Sequence, residues 1–314
     1  MSSKRYLVLL FVFMLSGIFA LGCNDERKET TTKGKVNIIV DEAIAPLFSQ
    51  EKDTFESLYP QAKIHFDTAQ SREAMVKFFN IDSTRVIVSA RPMNDEERAV
   101  AKRSNLVFGE YKVAISGIAV IVNVENKTSQ MRTTQIDSVL RGLITTWNLF
   151  GWGTERLPIA VCLPDQNSGT FEVLDVKLSN GQKLAPPSHI ASESPEMFRY
   201  VMEHRNSIGF AGVNWLKYYQ DKVRVLELSD PAAPDSLEIK GQYFSPHQAY
   251  IYQKYYPLAV EVYMYSKADI YSVGAGFVAF VTSAPGQKIV LNSGLVPATM
   301  PIRLVEINKK GYQQ

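Results

Sequence analysis

The 314-residue chain has two cysteines, which excludes a fold stapled by disulfides, and four histidines, His65, His189, His204 and His247, scattered without metal-ligand spacing. No H-E-x-x-H pair and no G-x-S-x-G elbow is present, and no base and nucleophile can be paired, so the chain reads as a non-enzyme without a cofactor. Gly274-Ala275-Gly276-Phe277-Val278-Ala279 fits a loose dinucleotide pattern. It lacks both the acidic residue about 20 positions on and a strand directly before it, so it reads as a helix start. Lysines and arginines (34) nearly balance acids (32) with no basic block, which excludes a nucleic-acid footprint. Internal repeats, low-complexity segments and a second long apolar run are also lacking.

What is there begins with a leader. Lys4 and Arg5 precede an apolar stretch, Tyr6 to Ala20, and small residues lead to Leu21-Gly22-Cys23. Residues 1–22 read as a secretory signal similar to those of bacterial lipoproteins, with Cys23 the lipidated first residue of the exported form; a plain membrane anchor is the alternative. Either places the body outside the cytoplasm, at the periplasm or cell surface. Residues 23–34 are polar and read as a tether. Cys162 then has no partner and reads as a small buried hydrophobe on a strand.

The remaining length suggests two lobes. Strands are expected at 36–40, 62–66, 85–90, 113–122, 159–162, 207–210 and 261–265. Helices are expected at 43–59, 72–80, 95–102, 133–140, 171–178 and 194–204, with 275–281 leading into a final helix around 286–292. Strands alternating with helices argue a mostly parallel α/β sheet with its ligand at the carboxyl ends of the strands.

Asn167-Ser168-Gly169-Thr170 lies between such a strand and a helix. There the first backbone N–H groups lack intrahelical partners and the helix dipole favours an anion. Ser168 and Thr170 add hydroxyls, and Gly169 lets the backbone come close. The same residues also serve as ordinary helix caps.

Taken in order, several stretches resemble the phosphate-type substrate-binding proteins of ABC transporters, a branch of the periplasmic binding proteins. They are Ala45-Pro46-Leu47, Ser89-Ala90-Arg91-Pro92 with Asp95-Glu96-Glu97, Ile115 to Asn123, and Leu140-Arg141-Gly142-Leu143-Ile144-Thr145-Thr146-Trp147. Asn167 to Thr170, Asn206-Ser207-Ile208-Gly209-Phe210, Tyr256-Pro257-Leu258, Gly274 to Val281 and Gly286 to Val290 follow. The resemblance implies a two-lobe type II binding-protein fold with strands crossing between lobes, lobe I from 35–113 plus 262–314 and lobe II from 114–261. It also implies capture of inorganic phosphate for an ABC permease, with the membrane reached through the lipid anchor.

The resemblance carries Ser168, Gly169 and Thr170 onto the anion loop, but the arginine usual four positions before the serine is Pro164 here. Asp41-Glu42 stands where Gly, Ser or Thr is usual, and Ala90 and Arg91 stand near where some phosphate binders place a proton-accepting aspartate. Arg91 and Arg72 are the candidate cations, Arg91 having a surface pairing with Asp95 or Glu96 as its other reading. Ser71 is a further candidate donor. Asp41 is either an acceptor for a protonated phosphate oxygen or a helix cap. Two alternatives to phosphate import remain: an exported sensor or scaffold that no longer binds phosphate, and a binder of another oxyanion such as sulfate or molybdate.

Overall fold

The structure, a computed structural model, describes residues 29–153 and 156–301. The leader and Cys23 lie outside the described residues, within which no helix is long and apolar enough to cross a membrane.

The first half is a βα alternation. Strand β1 (Gly34–Asp41) ends in Ile38-Ile39-Val40-Asp41, all buried, and a 3-10 turn at Glu42–Ile44 leads into helix α1 (Ala45–Leu58), which has Pro46 in its first turn. Strand β2 (Ala62–Ala69), helix α2 (Ser71–Asn80), strand β3 (Val86–Ser89) and helix α3 (Asp95–Arg103) follow. Both β2 and β3 pair with β1 in parallel. The start of α3 is set locally by a capping box in which Asn94 and Glu97 exchange side-chain and backbone bonds.

Strand β4 (Gly109–Asn123) joins the two halves, and its partner changes part-way along. Residues up to Gly117 pair antiparallel with β11 (Ala259–Ser266), whereas Ile118–Val122 pair with β8 (Ser207–Gly212). Gly117 stands at this handover, where an added Cβ would lie 3.0 Å from Ile251 Cδ1 and 3.3 Å from Val213 Cγ1. The strand begins four residues before the expected Val113. Its polar opening, Glu110-Tyr111-Lys112, faces solvent while the backbone already pairs with β11.

The second half carries strand β5 (Gln130–Arg132), helix α4 (Thr133–Leu140), strand β6 (Ala160–Pro164) and helix α5 (Gly169–Leu174). Strand β7 (His189–Ala191) and helix α6 (Ser194–Glu203) come next, and β6 runs parallel to both β7 and β8. Helix α5 starts at Gly169 rather than Phe171, then widens into a π-type turn at Asp175–Ser179 that ends on left-handed Asn180. Short strands β9 (Val223–Val225) and β10 (Glu227–Ser229) and helix α7 (Gln248–Tyr252) lead to β11. The chain returns through α8 (Val273–Thr282) and α9 (Ala284–Asn292), kept separate by Ser283 and Pro285, to β12 (Val296–Pro297) against β4.

The main sheet thus runs β2-β1-β3-β11-β4-β8-β6-β7, parallel at both ends and antiparallel where β4 and β11 cross. One apolar cluster joins Ile38, Val40, Phe48, Phe55, Phe198 and Phe277, and a second surrounds Trp147 in the second half. Each fully buried aromatic or aliphatic side chain contributes roughly 1.5–3 kcal/mol, so these clusters dominate stability. Cys162 is fully buried, and burial pushes its thiol up to about 12.

Candidate functional site

The carboxyl ends of β1, β2 and β3 meet the start of α5 from the opposite half, so the elements either side of the crossing strands face one another. Asp41 closes β1 and is wholly buried. Its Oδ1 accepts from Ala43 N at 3.1 Å, which makes it the cap of the 3-10 turn, and its Oδ2 accepts from Ala90 N at 3.1 Å and from the Ser71 hydroxyl. Burial pushes this carboxyl above its ordinary value, opposed by Ser71, Ala90, Ala43 and the charge of Arg91. Gly169 packs directly on the group: a Cβ built there would lie 3.4 Å from Asp41 Oδ2 and 3.3 Å from Arg91 Cγ, and would run into Ser71 Oγ.

The structure therefore brings Asp41, Ser71, Arg91 and Gly169 together, with Ser168 and Thr170 buried beside them. Ser168 is the cap of α5, its hydroxyl accepting from Phe171 N at 3.0 Å. Pro164 is buried at the end of β6, in register with Ala191. Arg72 is exposed and contributes its backbone N–H to Asn167 O at 3.0 Å, across the two halves.

Arg91 does not make the surface pairing with Asp95 or Glu96. It is 2 % exposed and holds Glu97 through two 2.7 Å hydrogen bonds, because the capping box turns the Glu97 carboxylate inward. Its Nε lies 2.8 Å from Glu172 Oε2 in α5. Burial works against its charge, and Glu97, Glu172 and Asp41 outweigh that, holding the guanidinium above its ordinary pKa.

Sequence reasoning missed three partners. Glu172 meets Arg91 and also accepts from Asn94 Nδ2 at 3.0 Å. Glu42 reaches from the first half to Ser194 at the start of α6, accepting from its N–H at 3.1 and 3.2 Å and from its hydroxyl at 3.1 Å. Burial pushes the Glu42 carboxyl up to about 7, the Ser194 N–H opposing and the charge of Asp41 adding to the rise. Gln70 Nε2 donates to Ser192 O, a further bond between the halves. The signal available for Glu172 was its place in the first turn of α5, facing the helix dipole; Glu42 was marked only as an acid where Gly, Ser or Thr is usual, with no pointer to Ser194.

Two cavities of about 10 Å³ each adjoin the Asp41 group, Thr170 lining both. Each has room for about one water. A larger cleft of about 290 Å³ opens on the other side of the Arg91–Glu172 pair, with apolar walls that include Met93, Val173, Val176 and Val260. Among the described residues no group of three or more metal-ligating side chains occurs.

Crossing strands between two α/β halves, with a buried polar cluster where the halves meet, define a binding-protein architecture. A family model described as a PBP superfamily domain matches residues 25–285, and the chain belongs to that superfamily, the periplasmic binding proteins. Among curated proteins it is similar to the phosphate-binding protein PstS of Staphylococcus aureus, 22% identical over 270 residues, covering 85% of this chain and 79% of that protein. The PstS of Staphylococcus epidermidis is 21% identical over 248 residues, covering 78% and 73%. Among solved structures, a Clostridium perfringens substrate-binding protein with bound phosphate superposes with a TM-score of 0.72 at 21% identity, over 84% of this chain and 100% of that one. An ABC-type phosphate transport receptor from Vibrio cholerae gives 0.62 at 16%, over 84% and 100%. At these identities the structural likeness shows the fold.

Proposed function

We propose that this protein is an extracytoplasmic receptor, lipid-anchored through Cys23, that captures inorganic phosphate and delivers it to an ABC permease without catalysing a reaction. The observation that carries the reading is the convergence of Ser71 and the Ala90 N–H from one half with Ser168, Gly169 and Thr170 from the other, within a chain of the binding-protein superfamily. The two halves are taken as lobes, 35–113 plus 262–314 and 114–261, that open and close on the ligand, whose binding biases an equilibrium between the two forms. Relatives named as phosphate-binding proteins support phosphate over other oxyanions.

A second reading, an exported sensor or scaffold that no longer binds phosphate, is favoured by one specific observation. Arg91 is committed to Glu97 and Glu172, while Asp41 holds the donors, so a dianion meets acids here and the neighbouring cation outside these pairs, Arg72, is exposed at the start of α2. Isothermal titration of the full-length protein, stripped of anion by unfolding and refolding, decides between them. Phosphate binding lost in a Ser168→Ala, Thr170→Ala double variant supports the receptor. No heat with phosphate or sulfate supports the sensor or scaffold.

A further inference from the structure

We propose that Asp41 is an internal anion that occupies the oxyanion subsite of this cleft and sets its affinity by competing with incoming ligand for the same donors. The proposal rests on the receptor reading above and names what regulates that site.

Three donors from three separate elements converge on this one carboxylate: Ala43 N–H in the 3-10 turn, the Ser71 hydroxyl at the start of α2 and Ala90 N–H after β3. Converging N–H and O–H groups around a fully buried anion are what a dehydrated oxyanion requires, and a carboxylate satisfies them as a phosphate oxygen pair would. Gly169 in the other half closes over the group, leaving so little room that a Cβ built there would lie 3.4 Å from Oδ2. The adjoining cavities have room for about one water each, so the subsite is filled by the protein itself.

Asp41 is also poorly placed to leave. Its side chain is short, and its backbone is in register with Ala69 of β2. Gly169 of the other half closes over its Oδ2 side, so moving the carboxylate that way requires the halves to part, breaking Arg91–Glu172 and Glu42–Ser194. The groups facing it are Glu42 on its own turn, Ser71 on α2, Arg91 after β3 and Gly169 on α5, and Arg91 already answers two other acids.

The test uses full-length, anion-stripped wild type, Asp41→Ala and Asp41→Asn, with sodium formate and inorganic phosphate as probes. Formate replaces only the missing carboxylate. Asp41→Ala is expected to melt lower than wild type in anion-free buffer and to recover with formate, to which wild type does not respond. It is also expected to bind phosphate at least about tenfold more tightly than wild type in titration calorimetry. A formate-insensitive Asp41→Ala overturns the proposal, as does phosphate binding weaker than wild type, which would make Asp41 a ligand contact. If Asp41→Ala does not fold, Asp41→Asn carries the phosphate comparison with the same expected and overturning results. Formate recovery together with phosphate silence in every variant supports the internal anion and sinks the phosphate reading alone.

Discussion

Arg91 Nε, on the turn after β3, lies 2.8 Å from Glu172 Oε2, on a helix of the opposite half of the molecule. With Asn94 Nδ2 donating to the same carboxylate and Glu42 bound to Ser194, side chains of the chain itself draw the two halves together. Carboxylates of the chain itself make both contacts.

Breaking the Arg91 cluster from either side has different expected costs. Arg91→Met leaves the half-buried Glu97 without its guanidinium partner, keeping only the Asn94 N–H, and is expected to lower unfolding stability by about 3 kcal/mol in urea titrations. Glu172→Gln leaves the Arg91–Glu97 pair in place and should cost about 1 kcal/mol or less, while small-angle scattering shows a more open particle. Equal costs for the two variants would contradict the arrangement.

Glu42 predicts a pH dependence. Its folded-state carboxyl is raised to about 7 from 4.5, so the folded form takes up a proton. The associated stability is fully present below pH 4.5 and is lost as pH rises through 7, a change of a few kcal/mol on the scale of about 1.4 kcal/mol per pKa unit. Urea midpoints for wild type and Glu42→Gln, taken from pH 4.5 to 8, should differ in slope, the variant being flatter.

Glu51, on α1, is fully buried and neither carboxyl oxygen has a hydrogen-bond partner; burial pushes it up to about 9. Stability from this group is likewise greatest below pH 4.5 and falls as pH rises through 9. Glu51→Met, similar in length and apolar, should stabilise the protein at pH 8 by about 1–3 kcal/mol, measured by thermal or urea unfolding. No gain would show that a partner satisfies the acid.

Gly169 tests the closed arrangement without touching charge. Its Cβ would run into the Ser71 hydroxyl and press on Arg91 Cγ. Gly169→Ala is expected to hold the halves apart, raising the radius of gyration and abolishing any phosphate-induced compaction in scattering. An unchanged scattering curve with and without phosphate would not fit this packing.

Most of the fold was legible because its signals are local. The apolar run Ile38-Ile39-Val40, the spaced Leu47, Phe48 and Phe55, and the Ser168-Gly169-Thr170 cap each reflect a rule that acts over one or two turns of chain. The pairing of Arg91 was not legible, since Asp95, Glu96 and Glu97 are near-equivalent in sequence. The capping box that selects Glu97 was written in Asn94-x-x-Glu97, but that Arg91 would be buried against it was not.

By itself, then, the sequence determined the α/β alternation and the helix start at Ser168-Gly169-Thr170. These follow from periodicity and capping, both short-range properties. Only the tertiary structure decided that Asp41 holds the Ser71, Ala43 and Ala90 donors and that Glu42 and Glu172 reach Ser194 and Arg91. Those partners are set by how β4 and β11 cross between the halves, and burial then makes each acid take whichever donor that crossing brings within reach.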